Sequence, residues 1–340
     1  MNWINNTSEI GLLTGAGFTA NFGGYLQREM WNKMFNHEFT QKNEVIKKKM
    51  LKAARGACLS KRDYDYESVY TELFETQPAI IQILMDTYKV LDQSISISHY
   101  NETSYNEQKF REFIAEVSRA SNQTPMVWFT LNQDLFCENF AQVTPLWIRY
   151  TRQDDNNNDK VVELPNELKL QEIQTRHPNG QLVYVKLHGS YGWLSSRGGK
   201  AVAVGADKKK FIDQEPLLKS YFDEIFSPWL RQKRKLLVIG YSFRDQHVND
   251  YLIKAIQDEN LRLFIISLAD MKDLVDSFAK QGDSKKVEMA IDGYWQKKLV
   301  DIFTDYAQTS VEVDELRQAL TRDWMNKDFF GTQRLPNQNA

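Results

Sequence analysis

LLTGAGFTANFGG, residues 12–24, decides the fold class. With the preceding Glu9-Ile10-Gly11 it reads as a short apolar strand that runs straight into glycines. Glycines placed there let the backbone turn sharply and let amide N–H groups approach a phosphate closely. Gly15 and Gly17 are followed by Ala20, so the G-x-G-x-x-G spacing of dinucleotide folds is absent. A plain tight strand–helix turn fits these residues as well, and the turn alone does not separate the two readings.

Three more apolar runs end in the same way. MVWFTL (126–131) runs into Asn132-Gln133-Asp134, LVYVKLH (182–188) into Gly189-Ser190, and KLLVIGYS (235–242) ends on Gly240-Tyr241-Ser242. LRLFIISL (261–268) is a fifth run. Short apolar runs alternating with helical patterns predict an α/β fold: a Rossmann-like parallel sheet with helices on both faces. Ligands bind beyond the C-terminal strand ends of such sheets. Four strands therefore deliver their unusual residues to one rim, and that convergence says more than any single motif.

Each strand end carries a chemistry and a plainer alternative. Asn132 offers a donor and an acceptor, and Asp134 accepts from an amide NH2; either could instead cap the helix that starts in DLFCENF. His188 has the pKa range of a general base, or is a hydrogen-bonded structural histidine. His37, His99, His177 and His247 lack its strand-end setting. Gly240 allows close approach and Ser242 can bond phosphate or ribose, whereas Asp245 and Asn249 could cap the next helix. Trp193 reads first as core. The lysines at 47–49 and 208–210 read first as solvated faces.

The remaining sequence sets the organisation. Apolar residues three and four apart predict a mostly helical stretch from about 24 to 120, and a largely helical segment from 271 to about 330. A β-hairpin insertion is expected between the polar loop at 153–160 and the Asn-Gly turn within 177–181. PLLKSYFDEIFSPWLRQ reads as helix with a break at Ser227-Pro228. The expected domains are 1–270, holding the ligand site and the helical insertion, and 271–330, a C-terminal helical extension; 331–340 reads as a frayed tail.

Composition narrows the function classes. At 42% hydrophobic and 26% charged residues the chain can build a real core. A net charge of −2 gives no global attraction to nucleic acid, so no direct nucleic-acid binding is expected. MNWINNTSEI lacks the charged and apolar regions of a secretory signal, and no run approaches about 18 apolar residues, so a cytoplasmic, non-membrane protein is expected. Two cysteines, Cys58 and Cys137, supply neither a disulfide framework nor a four-cysteine zinc site.

Taken together, the four motifs resemble the sirtuin-like superfamily. Gly15-Ala16-Gly17 with Phe18-Thr19 resembles its phosphate turn, with Thr19 one residue beyond the usual serine. LNQD resembles its Q-N-x-D motif with Leu131 in place of glutamine, KLHG its histidine motif, and GYSF its later G-x-S motif. DYESVYTELF (65–74) and GYSFRDQHVND are similar to a bacterial branch. The paired CxxC zinc module and the GIPDFR-like segment of classical deacylases are missing, which points to the branch that cleaves NAD in anti-phage defence.

The resemblance implies cleavage of the nicotinamide–ribose bond of NAD, giving nicotinamide and ADP-ribose, with NAD as substrate and no metal. Asn132 and His188 are the implied catalytic pair. Gly15, Ala16, Gly17, Thr19, Asp134, Gly240 and Ser242 are the implied binding residues, with Asp134 on the nicotinamide carboxamide. It also implies control by homo-oligomerisation or by a partner such as a HerA-type ATPase. An NAD-dependent deacylase or ADP-ribosyltransferase, and a non-catalytic sensor of NAD or ADP-ribose, are the alternatives.

Overall fold

The structure is a computed structural model that describes residues 2–60, 65–98, 124–141, 143–148, 162–174, 182–278 and 284–298. The Asn-Gly turn, the end of the helical stretch before 120, the segment beyond 298 and the tail lie outside these residues.

Six strands form one parallel sheet. They are β1 (Ile10–Thr14), β2 (Met126–Thr130), β4 (Leu182–Lys186), β7 (Lys235–Ile239), β8 (Arg262–Ile266) and β9 (Ile291–Trp295). Their order is β4-β2-β1-β7-β8-β9, parallel at every pairing. The chain lays strands to one side of β1, then crosses over and lays β7, β8 and β9 on the other. That reversal makes the gap between β1 and β7 the switch point where such sheets hold ligands. A smaller sheet joins β3 (Val162–Glu163), β5 (Gly189–Leu194) and β6 (Lys200–Val202).

The apolar runs work because both faces are covered. Leu12, Trp128, Tyr184, Leu237, Ile239, Phe264 and Ile266 belong to a core shared with the helices α2 (Gln27–Phe35), α4 (Glu44–Ser60), α5 (Tyr66–Leu73) and α6 (Ala79–Ser98). The alternate residues Leu13, Val127, Phe129, Val185, Leu236, Val238 and Ile265 join the opposite core, with α12 (Gln246–Glu259), α13 (Met271–Phe278) and α14 (Ser284–Ala290). Period-two alternation along the strands therefore feeds two hydrophobic layers. Trp128 is fully buried, and its indole N–H donates to Thr14 Oγ1 at 3.0 Å.

Three expectations need correction. Ile291–Trp295 is not helix but the sixth strand, parallel to β8. A boundary at 270 would cut the sheet; Asp292 in β9 is held by the Arg262 guanidinium of β8. Its Gly293 lowers strand propensity, and pairing with β8 overrides that. Where the hairpin before the Asn-Gly turn was expected, the described residues form a helix, α8 (Glu167–Gln174), and two residues of strand at β3. At Ser227-Pro228 the helix does not break. Tyr221–Phe226 widens to π-helix and the helix continues through Pro228 in α11 (Ser227–Leu230).

Two strand-end turns meet backbone to backbone at the switch point. Gly17 N–H donates to Gly240 O at 2.9 Å, and Gly15 N–H to Ile239 O at 3.1 Å. Gly240 has φ +64°, and a Cβ there would lie 2.2 Å from Phe18 N. Gly240→Ala should therefore cost at least about 2–3 kcal/mol, because left-handed strain and a backbone clash add. Gly56, in α4 with nothing near its missing Cβ, supplies the contrast: Gly56→Ala should gain about 0.5–1 kcal/mol. Thermal melts of the two variants check both signs.

Candidate functional site

The residues delivered by β1, β2, β4 and β7 line one cavity of about 1360 Å³. That exceeds the roughly 300–1,000 Å³ of ordinary small-molecule sites, so a dinucleotide fits. Gly15, Ala16, Gly17, Asn132, His188, Gly240 and Ser242 are on its wall, with Tyr25, Gln27 and Glu67 from the helical stretch and with Lys208, Asp245 and His247. Thr19 and Asp134 are not on the wall; both are buried behind it.

The glycine turn is built differently from a bare phosphate cradle. The amides of Gly15 and Gly17 are already given to Ile239 and Gly240. A Cβ on Gly17 would come within 2.8 Å of Gly240 Cα. These glycines allow two turns to touch, and Ala16, exposed between them, faces the cavity.

Asn132 is held from behind. Its Nδ2 donates to Thr19 Oγ1 at 2.6 Å, and its own amide N–H reaches Thr130 Oγ1 at 3.2 Å. Thr19 also hydrogen-bonds the Asp134 carboxylate. Asp134 Oδ1 accepts from Phe136 N–H at 3.0 Å, at the start of α7 (Phe136–Phe140). In the ligand-free chain the Asp134 carboxylate is bonded inward, to the helix start and to Thr19. Gln133 ties the strand end to its neighbours, accepting from Tyr88 and donating to Ala203 O.

Beneath Asn132 lies a buried charged set. Lys186, fully buried, pairs with Glu138 at 2.9 Å and donates to Asp134 O; Tyr184 OH reaches Glu138 Oε2. Burial raises the Asp134 pKa. Asp92, on α6, accepts from Leu135 N–H, and burial together with the neighbouring Asp134 pushes its carboxyl up to about 8.

His188 follows β4 and is 1% exposed. Its Nε2 lies 2.8 Å from Nε2 of His247, in the first turn of α12. The ring also hydrogen-bonds the Leu131 backbone. With Nε2 turned to His247, the Leu131 carbonyl takes the proton of Nδ1, which leaves a lone pair on Nε2. Burial pushes the pKa of His188 well below the usual imidazole value and that of His247 down to about 4, so both rings are neutral near pH 7.

Three residues here escaped the sequence reading. His247 lacks a strand end but sits three residues past the Phe243-Arg244 turn, which aims it at His188. Lys208 heads a run of three lysines, of which 209 and 210 are exposed. Lys208 itself is buried and bonds Asp245 at 2.6 Å and Glu67 at 2.8 Å. Asp245 precedes α12 yet makes no side-chain cap. Burial alone would raise its pKa, but Lys208 above all holds it down to about 2. Asn249 is structural: it accepts from Tyr241 OH and donates to Phe243 O. Trp193 is core.

Residues 129–292, just under half of the chain, match the family model described as SIR2-like domain. The matched span contains Asn132, His188, Gly240 and Ser242; β1 and its glycine turn lie outside it but pair into the centre of the same sheet. Among solved structures, a point mutant of a Sir2 homologue in complex with ADP ribose is similar over 94% of this chain and 96% of its own, at 13% identity and a TM-score of 0.39. No curated protein matches significantly. No helix among the described residues is long and apolar enough to cross a membrane.

The Asp92 carboxyl gives a pH test. Its folded pKa, about 8, is above the value near 3.8 of a free carboxyl, so the folded state holds a proton that the unfolded chain releases. That stability is complete below pH 4 and is lost as pH rises through 8. The melting temperature should fall between about pH 4 and 8 and level off above, and Asp92→Asn, which keeps an acceptor for Leu135 N–H, should flatten the fall.

Proposed function

We propose that the chain binds NAD in the cavity at the β1/β7 switch point and hydrolyses its nicotinamide–ribose bond. The observation that carries the reading is the placement, lining one cavity, of an amide held from behind, Asn132, and a neutral imidazole, His188, both within the span that matches the SIR2-like domain model. The cationic pyridinium leaves as neutral nicotinamide, keeping the electron pair of the broken C–N bond. Charge on the sugar then rises toward an oxocarbenium ion, as in glycoside hydrolysis.

In this mechanism Asn132 orients the attacking water or the ribose. The water oxygen bonds the anomeric carbon and its proton passes to His188 Nε2, from which it returns to solvent. His247 holds that lone pair until water or substrate takes its place. Gly15, Ala16, Gly17 and Gly240 let the pyrophosphate lie close to the backbone, and Ser242, exposed on the rim, bonds a phosphate or ribose hydroxyl. Thr19 and Asp134 act through Asn132 and are positioning residues. Depletion of NAD in anti-phage defence, with control by self-association or a HerA-type ATPase, is the setting we propose from the sequence resemblance.

Asn132→Ala and His188→Ala should each abolish NAD loss while NAD still binds; normal turnover in folded variants of both would overturn the roles. Thr19→Val keeps the shape and removes the hydroxyl. It should lower kcat by about 10²-fold with KM little changed, the usual scale for a slightly misplaced catalytic group, and Thr19→Ser should restore it. Because burial keeps His188 in its base form below the ordinary imidazole range, kcat/KM should stay level as pH falls through 6.5. A fall centred at that value would contradict the assignment.

A further inference from the structure

His188, Asp245 and His247 bring one ligand atom each to within 4.8 Å of the others, on the wall of the cavity. In the reaction proposed above only His188 of the three takes up a proton. Two histidine nitrogens and a carboxylate oxygen with one side open are the donor set of a three-ligand zinc site, whose fourth position takes water or an external ligand. We propose that these three side chains form a binding site for Zn2+ or a similar divalent transition metal, and that occupation of the site takes the Nε2 lone pair of His188.

Three features support the site. The Nε2 atoms of His188 and His247 share one proton across 2.8 Å, and a metal can replace it when His247 moves its hydrogen to Nδ1. Zinc–nitrogen bonds near 2.0–2.1 Å place tetrahedral ligands about 3.3 Å apart, so the rings need to open by only roughly 0.5 Å. Lys208 holds Asp245 but also has Glu67 at 2.8 Å, so Asp245 can turn to a metal without leaving a buried ammonium unpaired. The set contains no cysteine.

The consequence for activity rests on the reading of His188 as the base. A metal on its Nε2 removes the proton acceptor, so zinc acts here as an inhibitor and not as a cofactor.

The test is zinc titration of the metal-free full chain against a chromophoric zinc indicator, in a Cys58→Ser background that removes the exposed thiol. One Zn2+ per chain with micromolar or tighter affinity is expected. His247→Gln and Asp245→Asn, each shown to be folded by circular dichroism, should weaken it at least tenfold. No stoichiometric binding, or binding unchanged in both variants, overturns the site. In parallel, NAD loss by the metal-free chain should fall as the site fills and return on chelation. Filling without such a fall overturns the lone-pair claim. If the metal-free chain never consumes NAD, the proposed function fails, while the titration still decides the metal site.

Discussion

The structure depends on one backbone contact, Gly17 N–H to Gly240 O, where the turn after β1 meets the turn after β7. The sheet order reverses at that point, and the cavity opens beside it. A side chain on either glycine would drive the turns apart by steric overlap with backbone, which has nowhere to go. The contact also explains why β1, which lies outside the span matching the SIR2-like domain, is part of the same site: its end is bonded to strands on both sides, through Leu131 N–H to Thr14 O and Gly15 N–H to Ile239 O.

Behind that contact the site is supported by buried polar groups whose bonds are made inward. Asp134, Thr19 and Asn132 form a line from helix start to cavity wall, and Lys186 with Glu138 neutralises the region beneath. Charges this deep cost several kcal/mol each to desolvate and persist only when paired. Here Thr19 bonds both the Asn132 amide and the Asp134 carboxylate and so joins the wall to the groups behind it. Elsewhere on the cavity, Lys208 links Glu67 of the helical stretch to Asp245 beside the histidine pair, so the helices of 24–98 contribute to the site as well as cover the sheet.

Much of this was legible in the sequence. The apolar runs before Gly15, Asn132, His188 and Gly240 are sheet strands, and their ends converge because a parallel sheet puts all C-terminal ends on one edge. What escaped depends on contacts between distant segments. His247 gains its meaning from a ring 59 residues away, and nothing local marks it. Lys208 is distinguished from Lys209 and Lys210 only by which face of a helix turns inward. Asp134 offered two uses in sequence, and only the fold shows that it bonds the start of the next helix. Ile291–Trp295 is too short and too glycine-broken to declare itself without its neighbour β8.

The most direct test of the central claim is incubation of the purified, metal-free chain with NAD, with products separated by chromatography. The account predicts nicotinamide and ADP-ribose in equal amounts, formed without an acylated peptide. Intact NAD after hours with a folded chain that binds it, or turnover only when an acetyl-lysine peptide is added, would contradict it.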